Sequence, residues 1–120
     1  MRALVDASPP LAFKVLKASM VEFPALNGQS VSYAALQFPP ASTNPPHTHP
    51  RSADFSLLMY NVDPQNAALA ISAFGSANAG TVSLPNTLFA TNIDDNVLAI
   101  SFKTDVSTIR ALKAGLAPKP

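Results

Sequence analysis

The sequence predicts an all-β body that ends in short α-helices, and three observations lead there. Apolar residues alternate with a period of two before residue 75. Twelve prolines punctuate the 120 residues and break any helix across the middle of the chain. Two aspartate-capped apolar periods with helical spacing follow residue 93. At 120 residues the chain is read as one domain, residues 1–120, strand-rich over 1–84 and helical over 85–120.

The elements follow in order. Leu11, Phe13 and Val15 alternate with Ala12, Lys14 and Leu16, the pattern of a strand with one face more buried. Asn27-Gly28 lies between apolar flanks and predicts a tight turn, because both residues tolerate positive φ. Val31, Tyr33 and Ala35 then alternate with Ser32, Ala34 and Leu36 in a second strand. Prolines at 39, 40, 45, 46 and 50 exclude a helix there, so that segment is a strand or a strand edge. Leu69, Ile71 and Ala73 keep the period of two up to Phe74, after which Gly75, Ser76, Asn78 and Gly80 make a loop. Asp94-Asp95-Asn96 caps a short helix carrying Val97, Leu98 and Phe102. Asp105 caps another, with Val106, Ile109, Leu112 and Leu116 along one side, and Gly115 and Pro118 read as its stop.

Chemistry concentrates in Asn44-Pro45-Pro46-His47-Thr48-His49-Pro50-Arg51, which holds both histidines of the chain. Two imidazoles at i and i+2 of an extended segment point to the same side. Neutral imidazole suits Mn, Fe, Zn, Cu and Ni alike. A metal site needs three or four ligands, so the pair by itself also fits two exposed histidines in a proline-rich loop.

Longer runs narrow the reading. Phe23-Pro24-Ala25-Leu26-Asn27-Gly28-Gln29-Ser30-Val31-Ser32-Tyr33, running into Leu36-Gln37-Phe38-Pro39-Pro40 and the histidine segment, closely resembles the first cupin motif of plant germin-like proteins. Asp63-Pro64-Gln65-Asn66, Ala70-Ile71-Ser72-Ala73-Phe74-Gly75-Ser76 and Gly80-Thr81-Val82-Ser83-Leu84-Pro85 resemble the segment after the second motif, and Ile93 to Lys119 the helical C-terminus. The resemblance implies a cupin-type jelly roll and a manganese centre held by three histidines and a glutamate. Some members have superoxide dismutase or oxalate oxidase activity, and the family is secreted to the apoplast and cell wall. It carries His47 and His49 over as ligands.

The departures are specific. The family's glutamate stands five residues after the second histidine, where this chain has Asp54, a carboxylate shorter by one methylene. The third histidine is absent, because the chain has no other. Only eight residues, 55–62, separate Asp54 from Asp63, where the family has several strands and its whole second motif. The expected fold is therefore an incomplete jelly roll with an internal deletion, and if Tyr60-Asn61 aligns with the end of the second motif, Leu57 falls in the place of the lost ligand. His47, His49 and Asp54 are the expected metal residues, with manganese held weakly or not at all.

Composition sets further limits. A net charge of +1 with 12% charged residues leaves no basic stripe for nucleic acid and no polybasic membrane anchor. No apolar run is long enough to span a bilayer, and residues 1–20 lack the apolar core and cleavage site of a signal peptide. Family members carry a secretory peptide and a cysteine pair upstream of the position of Met1, so the start is expected to be internal to a parent sequence; this chain has no cysteine. No Asn-x-Ser/Thr glycosylation site is present.

Other chemistries are poorly supported. There is no phosphate-binding glycine loop and no Gly-x-Ser-x-Gly, and spacing does not favour a triad built from His47 or His49, Asp54 and a serine. Asp94 and Asp95 read as cap and solvent residues. Arg51 either steers an anionic ligand such as a dicarboxylate or serves the surface or strand edge. Two functions follow: an enzyme of the manganese cupin type, or a non-catalytic truncated cupin acting as a binding or storage-type protein. Either would associate as a homo-oligomer through C-terminal helices, whose apolar side otherwise packs on the chain's own sheet, and through strand edges exposed by the missing strands.

Overall fold

The computed structural model describes residues 10–53 and 57–117. The chain divides into two compact units, Met1–Val82 and Ser83–Pro120. The first carries two small antiparallel sheets. One has the order β1-β2-β5, from Lys14–Ala18, Ser32–Phe38 and Ala68–Phe74. Register is continuous across it, with Leu16 opposite Ala35 and Ala35 opposite Ile71. The other has the order β4-β3-β6, from Leu57–Tyr60, Thr43–Thr48 and Val82–Ser83.

The strand pattern predicted from alternation is present with two corrections. The first strand begins at Lys14 rather than Leu11, which is fully exposed. β2 does not alternate: all its residues except Tyr33 are buried. It is the central strand, and small residues such as Ser32, Ala34 and Ala35 let its neighbours close over both sides. The expected turn forms at Asn27-Gly28, where the Gln29 amide donates to the Leu26 carbonyl at 3.0 Å. Asn27 keeps φ −59° and only Gly28, at φ +79°, uses the left-handed region, which makes a type II turn.

The core of this unit gathers Ala34, Leu36, Phe38, Phe74 and Ala79, with Phe13, Met59 and Ala70 packed against it. Phe13 and Phe38 meet at a ring separation of 4.8 Å. Full burial of one such side chain contributes about 1.5–3 kcal/mol.

The second unit holds α1 (Leu84–Phe89), α2 (Asp95–Phe102) and α3 (Val106–Leu116). Both predicted caps are made. The Asp94 side chain accepts from the amides of Asn96 and Val97, at 2.9 and 3.2 Å. Asp105 accepts from the Thr108 amide at 2.8 Å and from the Ser107 hydroxyl. Asp95 departs from its expected solvent role, because its carboxylate takes Lys113 at 2.7 Å and Arg110 at 3.0 Å, joining the start of α2 to α3. Those bonds, Lys113 first, hold its pKa below the usual carboxylate value. Gly115 is not a stop, since α3 continues to Leu116, and Pro118 lies outside the described residues. The apolar side of α3 packs on helices rather than on a sheet: fully buried Ile109 joins Leu98 and Ala99, with Phe89 and Val106 against them. α1, with Pro85 in its first turn, opens the stretch read as helical, 85–120, although no separate helix was expected there.

Candidate metal centre

The histidine segment forms β3 despite its two prolines, and the sheet registers how. Asn44 pairs with Met59 and His47 with Leu57, so three steps along β3 oppose two along β4. The extra residue is a β-bulge at Pro45-Pro46, where residues without an N–H leave no ladder bond unmade. The bulge shifts the phase of the strand. Asn44, His47 and His49 therefore all face inward, although simple alternation would put Asn44 opposite His47. All three are buried, and all line a cavity of about 310 Å³ in the first unit.

The imidazoles meet edge to face, with ring centroids 4.9 Å apart and planes at 89°. Each is fixed through Nδ1: His47 on the Pro45 carbonyl at 2.9 Å, His49 on the Gly80 carbonyl at 2.6 Å. A carbonyl oxygen only accepts, so each Nδ1 carries the proton and Nε2 keeps the basic lone pair. This is the outer support that ligating histidines characteristically have. The His49 ring also lies against Phe74, 4.4 Å between centroids.

A clasp between residues 49–51 and 78–80 holds this geometry. Beside the His49 bond, the Arg51 amide donates to the Ala79 carbonyl at 3.0 Å. The Arg51 guanidinium donates to the Asn78 carbonyl at 2.7 Å and to Asn78 Oδ1 at 2.9 Å. Arg51 thus buttresses the loop behind His49. The loop is anchored further by Ser32 Oγ, which donates to the Ser76 carbonyl at 2.6 Å.

Asp54, the expected carboxylate, lies outside the described residues. Among the described residues no group of three or more His, Cys, Asp or Glu side chains could hold a metal ion. The donors that line the cavity fit manganese only in part. Two imidazoles are present, but among the described residues no carboxylate joins them, and Mn²⁺ is a hard ion that favours oxygen ligands. The sequence reading missed Asn44 and Met59, which share the cavity with the histidines; the double proline is the signal that could have placed Asn44 there.

No family model matches the chain. Germin-like protein 9-3 of rice (Oryza sativa subsp. japonica) is 52% identical to it over 145 residues, covering 92% of this chain and 68% of the relative. Putative germin-like protein 9-2 of rice is 48% identical over 148 residues, covering 94% and 69%. Since 92% of 120 residues is about 110, roughly 35 of the 145 aligned positions have no residue in this chain. A solved structure of oxalate oxidase superposes with a TM-score of 0.74 at 25% identity, over 94% of this chain and 76% of that one. The fold, with one histidine on β3, the other just past its end and both lining one cavity, defines a cupin. Within that class the chain belongs to the germin-like protein family of plants.

Proposed function

We propose that this chain is a germin-like cupin of the manganese-binding, secreted, superoxide dismutase and oxalate oxidase-related kind, with an impaired metal centre. The observation that carries the reading is Leu57 directly across from His47 in the sheet, in the place where the family's third histidine is expected. His47 and His49 would supply two nitrogen ligands, and Asp54 would supply a carboxylate from a shortened side chain. A bound manganese ion would bring redox chemistry to the cavity. This chain's own residues orient the two imidazoles and keep their Nε2 atoms basic. A centre short of one ligand retains its ion weakly, because each lost ligand removes affinity and admits water. The family resemblance supports a site of action outside the cell, in the apoplast or cell wall.

The second reading is a non-catalytic truncated cupin that acts as a binding or storage-type protein and folds by association. It is favoured by apolar side chains left in water: Leu69 and Ile71 on β5, and Val97 and Ile100 on α2, are each more than half exposed. Homo-oligomer contacts through sheet edges and the C-terminal helices would cover such surface.

Metal analysis of the purified full chain, combined with its size in solution, tests both. Manganese far below one ion per chain, little dismutase activity and no oxalate oxidase activity are expected. Near-stoichiometric manganese with robust dismutase activity lost on His49→Ala would restore the competent enzyme.

A further inference from the structure

We propose that His47, His49 and Met59 form a binding site for copper(I), a soft monovalent ion. The proposal rests on the reading that the manganese donor set is incomplete. Met59 stands on β4 opposite Asn44, while His47 stands opposite Leu57. Met59 is therefore the diagonal neighbour of His47. Diagonal residues in an antiparallel pair are about 7–8 Å apart, within reach of a long, flexible side chain. Met59 is half-buried, lines the same cavity as both imidazoles, and packs on the core cluster that contains Phe74, the ring against which His49 lies.

Charge and donor type both select the ion. Imidazole and thioether are neutral, and thioether sulfur favours Cu(I), whereas Mn²⁺ stands lowest in the divalent affinity order for any nitrogen site. Lys17 also lines the cavity, and among the described residues no carboxylate does. A dication placed there would meet the like charge of Lys17, which Glu22 offsets only in part, across walls that include Leu36 and Phe74; a monocation meets half that repulsion. Cu(I) is satisfied by as few as two or three donors, so the missing fourth ligand costs it little. The imidazoles are held in the ligating tautomer before any ion arrives, which removes an ordering cost.

The test is anaerobic titration of the full chain with Cu(I) against a chromogenic copper(I) chelator, with parallel titrations of Mn²⁺ and Zn²⁺. One Cu(I) per chain is expected, bound more tightly than either dication. Met59→Leu conserves side-chain volume, and circular dichroism verifies that its fold is kept. It should weaken Cu(I) by about tenfold or more while moving Zn²⁺ by less than about twofold. X-ray absorption should show a sulfur scatterer beside copper in the parent chain and none in Met59→Leu. Copper(I) held no more tightly than Mn²⁺, or a Met59→Leu variant that binds it unchanged, would overturn the proposal. If manganese is lost as well, only the copper site fails; if manganese is held near one ion per chain, the impaired-centre reading fails with it.

Discussion

His49 and Gly80, 31 residues apart, are joined by a hydrogen bond of 2.6 Å from Nδ1 to the glycine carbonyl. Gly80 can present that carbonyl because it sits at φ +73°. It also has no side chain to collide with Arg51, whose Nη2 would lie 2.8 Å from an added Cβ. The backbone conformation of one residue thus fixes the ring orientation of another.

Two glycines in the left-handed region separate strain from space. Gly28 lies at φ +79° with nothing within 4 Å of an added Cβ, whereas the guanidinium crowds Gly80. Gly28→Ala should cost about 1 kcal/mol, the left-handed penalty alone. Gly80→Ala should cost about 2–4 kcal/mol, because a guanidinium held by two bonds to Asn78 must also move. Urea unfolding of both variants measures the difference. Equal losses would mean that Arg51 yields freely.

The protonated nitrogen of each ring is predicted by its acceptor. Long-range ¹⁵N–¹H spectra of the metal-free chain should show the neutral form of each ring carrying its proton on Nδ1. An Nε2–H ring at either position would remove the carbonyl support from the site.

Acid should destabilise the fold from the carboxylate side. Asp105 is held far below its ordinary pKa by hydrogen bonds from Ser107 and Thr108. Asp63 is lowered by Asn66 and the Gln65 amide, and Glu22 by Ser19. A folded-state pKa below the unfolded one contributes stability that is complete above the unfolded value and lost as pH falls through the folded one. The contribution of these carboxylates should therefore be flat above about pH 5 and decline from about pH 4 downward. Asp105→Asn keeps a good helix cap but cannot titrate, so its decline should be shallower. Thermal melts between pH 7 and pH 2 check both, and a stability independent of pH over that range would contradict them.

Ile109 is fully buried in the helical unit. Ile109→Ala should cost about 2–5 kcal/mol, and Ile109→Val about 0.5–1.5 kcal/mol. Far-ultraviolet dichroism during thermal unfolding tests the order, and a harmless alanine would mean that the helices do not depend on this contact.

Much of the fold was legible because its signals are local. The caps at Asp94 and Asp105, the turn at Gly28 and the strand at residues 68–74 each depend on a few adjacent residues, and each formed. β2 misled because burial on both sides is set by where a strand lies in its sheet, which no alternation records. At the candidate site, the shared side of His47 and His49 follows from spacing. The inward turn of Asn44 and the clasp on Gly80 do not, since one needs the bulge and the other a contact across 31 residues. Asp95 misled similarly: its partners Lys113 and Arg110 sit on the next helix, beyond any local pattern.

The double proline has a second consequence, for how the chain behaves among its own copies. With 48% of its residues hydrophobic, it is a candidate for strand-to-strand aggregation whenever a sheet edge opens. Residues 45 and 46 interrupt the strand bearing the histidines with two successive positions that cannot donate. A foreign strand that displaced the two-residue β6 from β3 would run out of bonds midway, so the segment that gathers the imidazoles is also a poor seed for fibrils.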